Sequence, residues 1–157
     1  MSAHQARIAT PFGVLGVVAD AAGLAAIDFL PPGTPPLPPQ NPMAARVCTQ
    51  IEAYLRDPTF VFDLPLKLGG TPFRNRVWQA LRQIPAGRTR SYGELAAALH
   101  SAPRAVGQAC GANPIPIVIP CHRVVAKDGG LGGFMGATGG DPLAIKRWLL
   151  DHERRAG

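Results

Sequence analysis

Two kinds of hydrophobic spacing divide this chain. Residues 7–18 and 24–30 are apolar and rich in β-formers, and Asp20-Ala21-Ala22-Gly23 between them reads as a hairpin turn, so two strands are predicted. Pro31 to Pro39 cannot feed a ladder with hydrogen bonds and is expected as an extended connector. Asn41-Pro42 then opens a helix whose Met43, Val47, Ile51, Tyr54 and Leu55 recur at helical spacing until Asp57-Pro58 stops it. A short strand over Val61 to Leu68 follows, and Gly69-Gly70 is a plausible hinge.

Beyond the hinge the period is helical. Thr71 caps, Pro72 takes the first helical position, and Phe73, Val77, Leu81 and Ile84 mark one buried face before Pro85-Ala86-Gly87 ends it. Ser91 with Glu94 forms a capping box for a helix carrying Tyr92, Leu95, Ala96 and Leu99, and Ser101 is expected to cap another from Pro103 to about Ala112. Two short helices joined by a tight turn have the dimensions of a helix-turn-helix, although a plain αα-hairpin satisfies the same pattern. Asp141-Pro142 starts a last helix, with Leu143, Ile145, Trp148 and Leu149 facing inward.

Length and charge narrow the classes. At 157 residues the chain can be one domain, or a small domain joined to a larger one, and is too short for a repeat array. No apolar run approaches a membrane span, and the N-terminus lacks a basic stretch followed by an apolar core, so no secretion signal and no membrane partner are expected. The net charge of +6 is unevenly placed: residues 1–70 carry −1 and residues 71–157 carry +7. A basic second half suits a polyanion, and equally a soluble basic surface. Cys48, Cys110 and Cys121 are an odd set with no paired spacing, which points to a reducing, cytoplasmic setting and away from disulfides. No C-x-x-C or H-x-x-x-H occurs, so no metal is expected.

The chemistry concentrates in Pro114-Ile115-Pro116-Ile117-Val118-Ile119-Pro120-Cys121-His122-Arg123-Val124-Val125, where apolar residues surround one polar trio. Cys48 and Cys110 read as inert buried thiols. Cys121 is the best nucleophile in the chain, because an imidazole and a guanidinium follow it and cationic neighbours lower a thiol pKa. On a regular strand Cys121 and His122 would point to opposite faces, so they cooperate only across a turn or through a water, and Pro120 makes such a turn plausible.

Pro120-Cys121-His122-Arg123-Val124, with Asn113-Pro114, Arg104-Ala105-Val106-Gly107 and Ser91-Tyr92 upstream, resembles the O6-alkylguanine-DNA alkyltransferases, the methylated-DNA–protein-cysteine methyltransferases. The resemblance is strong over residues 71–157. In the first half, Thr10-Pro11-Phe12-Gly13 and Gly23-Leu24 look like that family's opening hairpin. It implies an α+β fold: a small ribonuclease-H-like α/β domain over 1–69 and a mostly helical domain with a helix-turn-helix over 70–157.

It also implies irreversible transfer of an alkyl group from O6-alkylguanine in DNA to Cys121, without a cofactor, with O4-alkylthymine left open as a second substrate. His122 would take the thiol proton through a water, Glu153 would orient His122, and Asn113 would tie the turn. Tyr92, aided by Lys146, would hydrogen-bond the departing guanine, and the carbonyls of Cys121 and Val125 would read its amino group. Arg104 would fill the gap left by a flipped base. Ala105, Gly107 and Ala109 would form the small-residue face on the minor groove, with Ser91 and Arg123 also on the DNA. Binding would be sequence-independent, by a monomer able to assemble on duplex. The Gly132–Gly140 segment departs from the family's compact loop, and either Met135 or Thr138 would line the alkyl pocket. Two binding-only readings compete: a damage sensor, which in that family lacks the acceptor cysteine, and a helix-turn-helix regulator with an incidental one.

Overall fold

The computed structural model describes residues 3–127, 130 and 142–155. The first apolar stretch holds two strands rather than one: β1 (Ala6–Thr10) and β2 (Gly13–Asp20), with β3 (Gly23–Leu30) completing an antiparallel sheet in the order β1-β2-β3. The extra turn escaped the pattern because Pro11 and Phe12 are apolar. Thr10 makes it, its hydroxyl accepting from the Phe12 N–H at 3.2 Å and donating to the Gly13 carbonyl at 2.8 Å. At the second turn Gly23 holds φ +149°, and a Cβ there would stand 2.5 Å from the Pro65 carbonyl oxygen, so only glycine fits.

Both sheet edges are covered. Leu37 has the only backbone N–H between Pro35 and Pro39, and it exchanges hydrogen bonds of 2.9 and 3.0 Å with Arg7 on β1. On the other edge Leu24 donates to Pro65 and accepts from Lys67, both at 2.8 Å. The strand expected over 61–68 is therefore a single bridge, Leu24 to Leu66. Pro65 cannot donate to a ladder, and Val61 is 82% exposed, so the segment lacks both the bonds and the buried face of a strand.

Helix α1 (Pro42–Arg56) is capped by Asn41, whose side chain accepts from Ala44 and donates to the Ala19 carbonyl of β2, both at 2.8 Å. Its Ala44, Val47, Ile51 and Tyr54 are buried. Helix α2 (Pro72–Arg82) is capped by Thr71 and buries Val77, Trp78 and Leu81. The two-residue strand β4 (Arg90–Ser91) leads into α3 (Tyr92–Ala98), which carries the expected Ser91–Glu94 capping box.

Ser101 is not the cap of the next helix, α4 (Pro103–Gly111); Ala102 is, without a side-chain bond. Pro103 forces the residue before it into extended backbone, which makes Ala102 the cap position. Ser101 instead closes α3. Its N–H reaches the Ala96 carbonyl at 2.8 Å and that of His100 reaches Ala97 at 3.3 Å, a Schellman ending with His100 at φ +54° in the place glycine usually takes. A 3₁₀ turn (Cys121–Arg123) runs into β5 (Val124–Val125), which pairs in parallel with β4.

The last helix, α5 (Pro142–Arg154), buries Ile145, Leu149 and Leu150, but also Lys146, His152 and Glu153. Leu143, expected inside, is 41% exposed. Asp141, expected as its cap, lies outside the described residues. One apolar core runs through all of this, from Ala6 and Leu15 in the sheet to Ile119 and Leu149. The fold is a small antiparallel sheet plus helices, a mixed α+β architecture. No helix among the described residues is long and apolar enough to cross a membrane.

Candidate active site

A buried loop delivers the cysteine. Asn113, 1% exposed, spans it: its side-chain nitrogen donates to the Ile119 carbonyl at 2.8 Å and its oxygen accepts from the Ile115 N–H at 2.9 Å. Between them Ile117 sits at φ +75°, a costly conformation for a β-branched residue that persists only because both ends are tied. Pro120, at φ −81° and ψ 66°, then makes an inverse γ-turn closed by the Cys121 N–H on the Ile119 carbonyl at 2.8 Å. The 3₁₀ turn that follows is the departure from regular strand that Cys121 and His122 need in order to cooperate.

From this turn and α5 a relay is built. His122, fully buried, has Nε2 2.7 Å from Oε2 of Glu153. Arg123 clasps the same carboxylate with Nε on Oε1 at 2.9 Å and Nη2 on Oε2 at 3.0 Å, and its Nη1 donates to the Ile84 carbonyl at 2.6 Å. Tyr54, from α1, donates its hydroxyl to Oε2 at 2.7 Å. Burial alone would raise the Glu153 carboxyl, but the hydrogen bond from His122 and the hydrogen bonds and charge of Arg123 overcome it and hold the group far below the usual carboxylate range. Glu153 is thus an anion that accepts, so the His122 Nε2 donates. Nδ1 then keeps its lone pair, and it has no hydrogen-bond partner among the described residues. Burial lowers the His122 pKa, opposed by Glu153, which leaves the imidazole a neutral base at neutral pH.

The thiol does not behave as its neighbours in sequence suggested. Burial pushes Cys121 up to about 11, against the pull of a hydrogen bond from Asn113 and the charge of Lys146. Arg123 gives no help, because its guanidinium is turned onto Glu153, and His122 carries no resting charge. The thiol is therefore protonated at neutral pH, and any nucleophilic role would call for a base.

Across the site stands Tyr92, the first residue of α3. Burial and the nearby Cys110 and Cys121 thiols raise its phenol to about 12. Lys146 is fully buried, donates to the Val124 carbonyl at 2.7 Å, and lies 5.9 Å from the centre of the Tyr92 ring. Burial lowers its pKa to about 8, with the two thiols resisting. The β4–β5 pairing sets Ser91 beside Val125 and so holds Tyr92 next to the cysteine turn.

Other sequence-predicted residues fall in two groups. Arg104 is exposed in the first turn of α4, with Ala105 and Gly107 half-buried beside it. A Cβ on Gly107 or Gly111 would meet nothing within 4 Å, so these glycines do not serve packing inside the protein and the face they open is outward. Three others are placed differently. Ala109 is 1% exposed, its carbonyl accepting from the Trp78 indole at 2.9 Å. Arg123 spends its guanidinium on Glu153 and Ile84, and the Ser91 hydroxyl caps α3 by accepting from the Glu94 N–H at 3.0 Å. Met135 and Thr138 lie outside the described residues. In the sequence Tyr54 shows only as a buried helix position, because a partner 99 residues away leaves no local signal. Among the described residues no group of three or more His, Cys, Asp or Glu could hold a metal ion.

The family model for the DNA-binding domain of 6-O-methylguanine DNA methyltransferase matches residues 72–155, which is the span of the cysteine turn, the two short helices and α5. The chain belongs to this family. It is 44% identical to the constitutive methylated-DNA–protein-cysteine methyltransferase of Bacillus subtilis over 117 residues, 73% of this chain and 68% of that one. With the Haemophilus influenzae methyltransferase it shares 39% over 153 residues, 92% and 83% of the two chains. Among solved structures it resembles Mycobacterium tuberculosis OGT in complex with DNA, with a TM-score of 0.80, 36% identity, and coverage of 95% of this chain and 91% of that one. The methyltransferase likeness thus extends through the sheet, beyond the matched domain.

Proposed function

We propose that this protein repairs DNA by moving an alkyl group from O6 of guanine onto its own Cys121, once per molecule. The observation that carries the reading is the buried Nδ1 of His122, held as a lone pair by the Glu153 acceptor on the far side of the ring and set one residue from the thiol. In the step, Cys121 Sγ attacks the alkyl carbon, the S–C bond forms as the C–O6 bond breaks, and the thiol proton passes through a water to His122 Nδ1. Guanine leaves with the C–O bonding pair. Tyr92, a phenol protonated throughout the working pH range, donates a hydrogen bond to the anionic base, with the Lys146 ammonium over its ring stabilising that charge. The thioether formed is a poor leaving group, so the acceptor is consumed. A binding-only damage sensor or regulator leaves Cys121 and its relay without work.

The substrate base must leave the duplex to reach a cysteine this deeply buried. Arg104, exposed at the start of α4, is placed to fill the gap, and the open side of Gly107 and Gly111 lets the helix lie close to a minor groove. The +7 charge of residues 71–157 supplies phosphate attraction without sequence preference. Residues 1–69, as a ribonuclease-H-like unit, would brace the acceptor domain of 70–157, in a reducing cytoplasm that keeps the three cysteines as thiols.

The deciding experiment mixes the protein with excess duplex containing one O6-methylguanine and maps added mass by peptide mass spectrometry. One methyl on Cys121, none on Cys48 or Cys110, and no further turnover are expected; lesion binding with no modified cysteine would reject the reading. Gly107→Ala should leave the fold intact, with about 0.5 kcal/mol gained from the better helix former, while weakening duplex binding several-fold in fluorescence anisotropy. Unchanged affinity would place the DNA on another face.

A further inference from the structure

We infer that Tyr54 is a positioning residue for the transfer chemistry: its hydroxyl, brought from the N-terminal half, fixes which nitrogen of His122 bears the proton by occupying the Glu153 oxygen that His122 also uses. The inference rests on the reading of Cys121 as alkyl acceptor. Oε2 of Glu153 receives Tyr54 at 2.7 Å, His122 at 2.7 Å and Arg123 at 3.0 Å, while Oε1 receives Arg123 alone among the described residues, at 2.9 Å. An oxygen serving three donors has little proton affinity left. The proton between Nε2 and Oε2 therefore stays on the imidazole, and Nδ1 stays open to the thiol proton. Once Nδ1 has taken that proton, the same crowding stops the imidazolium from passing its Nε2 proton to Glu153, so positive charge remains beside the sulfur while it attacks.

Tyr54 is built to be a donor and nothing else. It is 1% exposed, and burial together with the Glu153 charge drives its pKa far above the ordinary phenol range, so the hydroxyl keeps its proton. Its ring is wedged between Phe62, at 5.6 Å, and His152, at 5.2 Å and 74°, and its carbonyl accepts from His152 Nε2 at 2.8 Å. Among the described residues, the other charged or titratable groups beside this cluster are Arg123 and Cys121 from the 3₁₀ turn and Lys146 and His152 from α5, His152 lying against Tyr54. Arg123 fixes the charge of Glu153 through both oxygens, whereas Tyr54 is a neutral donor on the oxygen turned to His122. The first half of the chain thereby enters the chemistry through one hydroxyl.

The test compares wild type with Tyr54→Phe by single-turnover methyl transfer from the free base O6-methylguanine across pH 5 to 9, and by 15N spectra of the His122 imidazole. In the variant we expect about tenfold slower transfer, a displaced midpoint of the pH–rate curve, and a mixture of His122 tautomers in place of the Nε2–H form. A wild-type rate would overturn the inference. So would a uniform slowing with midpoint and tautomer unchanged, the mark of a structural brace. If the variant does not fold, wild type decides: a slowly exchanging Tyr54 hydroxyl proton with a cross-peak to His122 Nε2–H supports the role, and a His122 protonated at Nδ1 defeats it. Failure of wild type to transfer any methyl would sink the alkyl-acceptor reading instead, while the imidazole spectra, which need no substrate, still judge Tyr54.

Discussion

Glu153→Gln should cost the protein at least a hundredfold in transfer rate and about 3 kcal/mol in stability. The amide cannot satisfy the donors that converge on the carboxylate from His122, Arg123 and Tyr54, because its own NH₂ must point at one of them. Arg123 is left with a buried, uncompensated charge. His122 loses the anion that holds its proton on Nε2, and the ring can turn its protonated face to the thiol, where it accepts nothing.

The pH dependence separates this from a general loss of packing. Because Glu153 titrates far below its ordinary 4.5 in the folded protein, its contribution to stability is fully present above that value and is lost as pH falls through the folded range. His122, lowered from 6.5, adds an earlier loss: below about 6.5 the unfolded chain gains a proton the folded one refuses. Wild type should therefore lose melting temperature in two stages on acidification, and the variant should keep the first and lack the second. A variant rate within twofold of wild type would remove Glu153 from the mechanism.

Asn113→Ala is expected to be nearly as damaging, at about 3 kcal/mol. It strands the buried Ile115 N–H, which costs about 1–3 kcal/mol when left unmade, and removes one of the two donors on the Ile119 carbonyl, around a loop already strained at Ile117. The Cys121 thiol also loses the hydrogen bond that draws its pKa down, so transfer should slow by about two orders of magnitude. Asn113→Asp is the sharper probe. It can still accept from Ile115, but it sets a negative charge beside the sulfur and donates nothing to Ile119, so transfer should fall even where melting temperature is partly restored. Equal rates for Asp and Asn would show that the side chain only shapes the loop.

Much of this architecture follows from local rules. Asn41, Thr71 and Ser91 each accept from the backbone N–H three residues on, as short polar residues before a helix do, and the helical spacing of Val47, Ile51 and Tyr54 marked a face that is buried. Three places departed from this pattern, two of them for reasons that are themselves local and one for want of a pairing partner. Pro11-Phe12 turns the chain although both are apolar; residues 61–68 lack strand partners; Ser101 ends one helix rather than starting the next.

The site divides along the same line. Cys121 and His122 sit in one stretch and stand out by type and order, whereas Asn113 and Glu153 come only from the family pattern. That Arg123 turns inward, that the thiol is raised and not lowered, and that Tyr54 joins the carboxylate all depend on contacts between residues 30 to 99 apart. Such contacts exist only after the core has formed.

Because Glu153 lies 31 residues beyond His122, on the helix that closes the core, a growing chain that has already made its cysteine turn still lacks the carboxylate that His122 meets in the folded protein. On the proposed mechanism, translation would produce the reactive group and its trigger at different times. A half-built chain would carry a thiol no more aggressive than any other cysteine, and a single-use protein would keep its one reaction for the finished molecule.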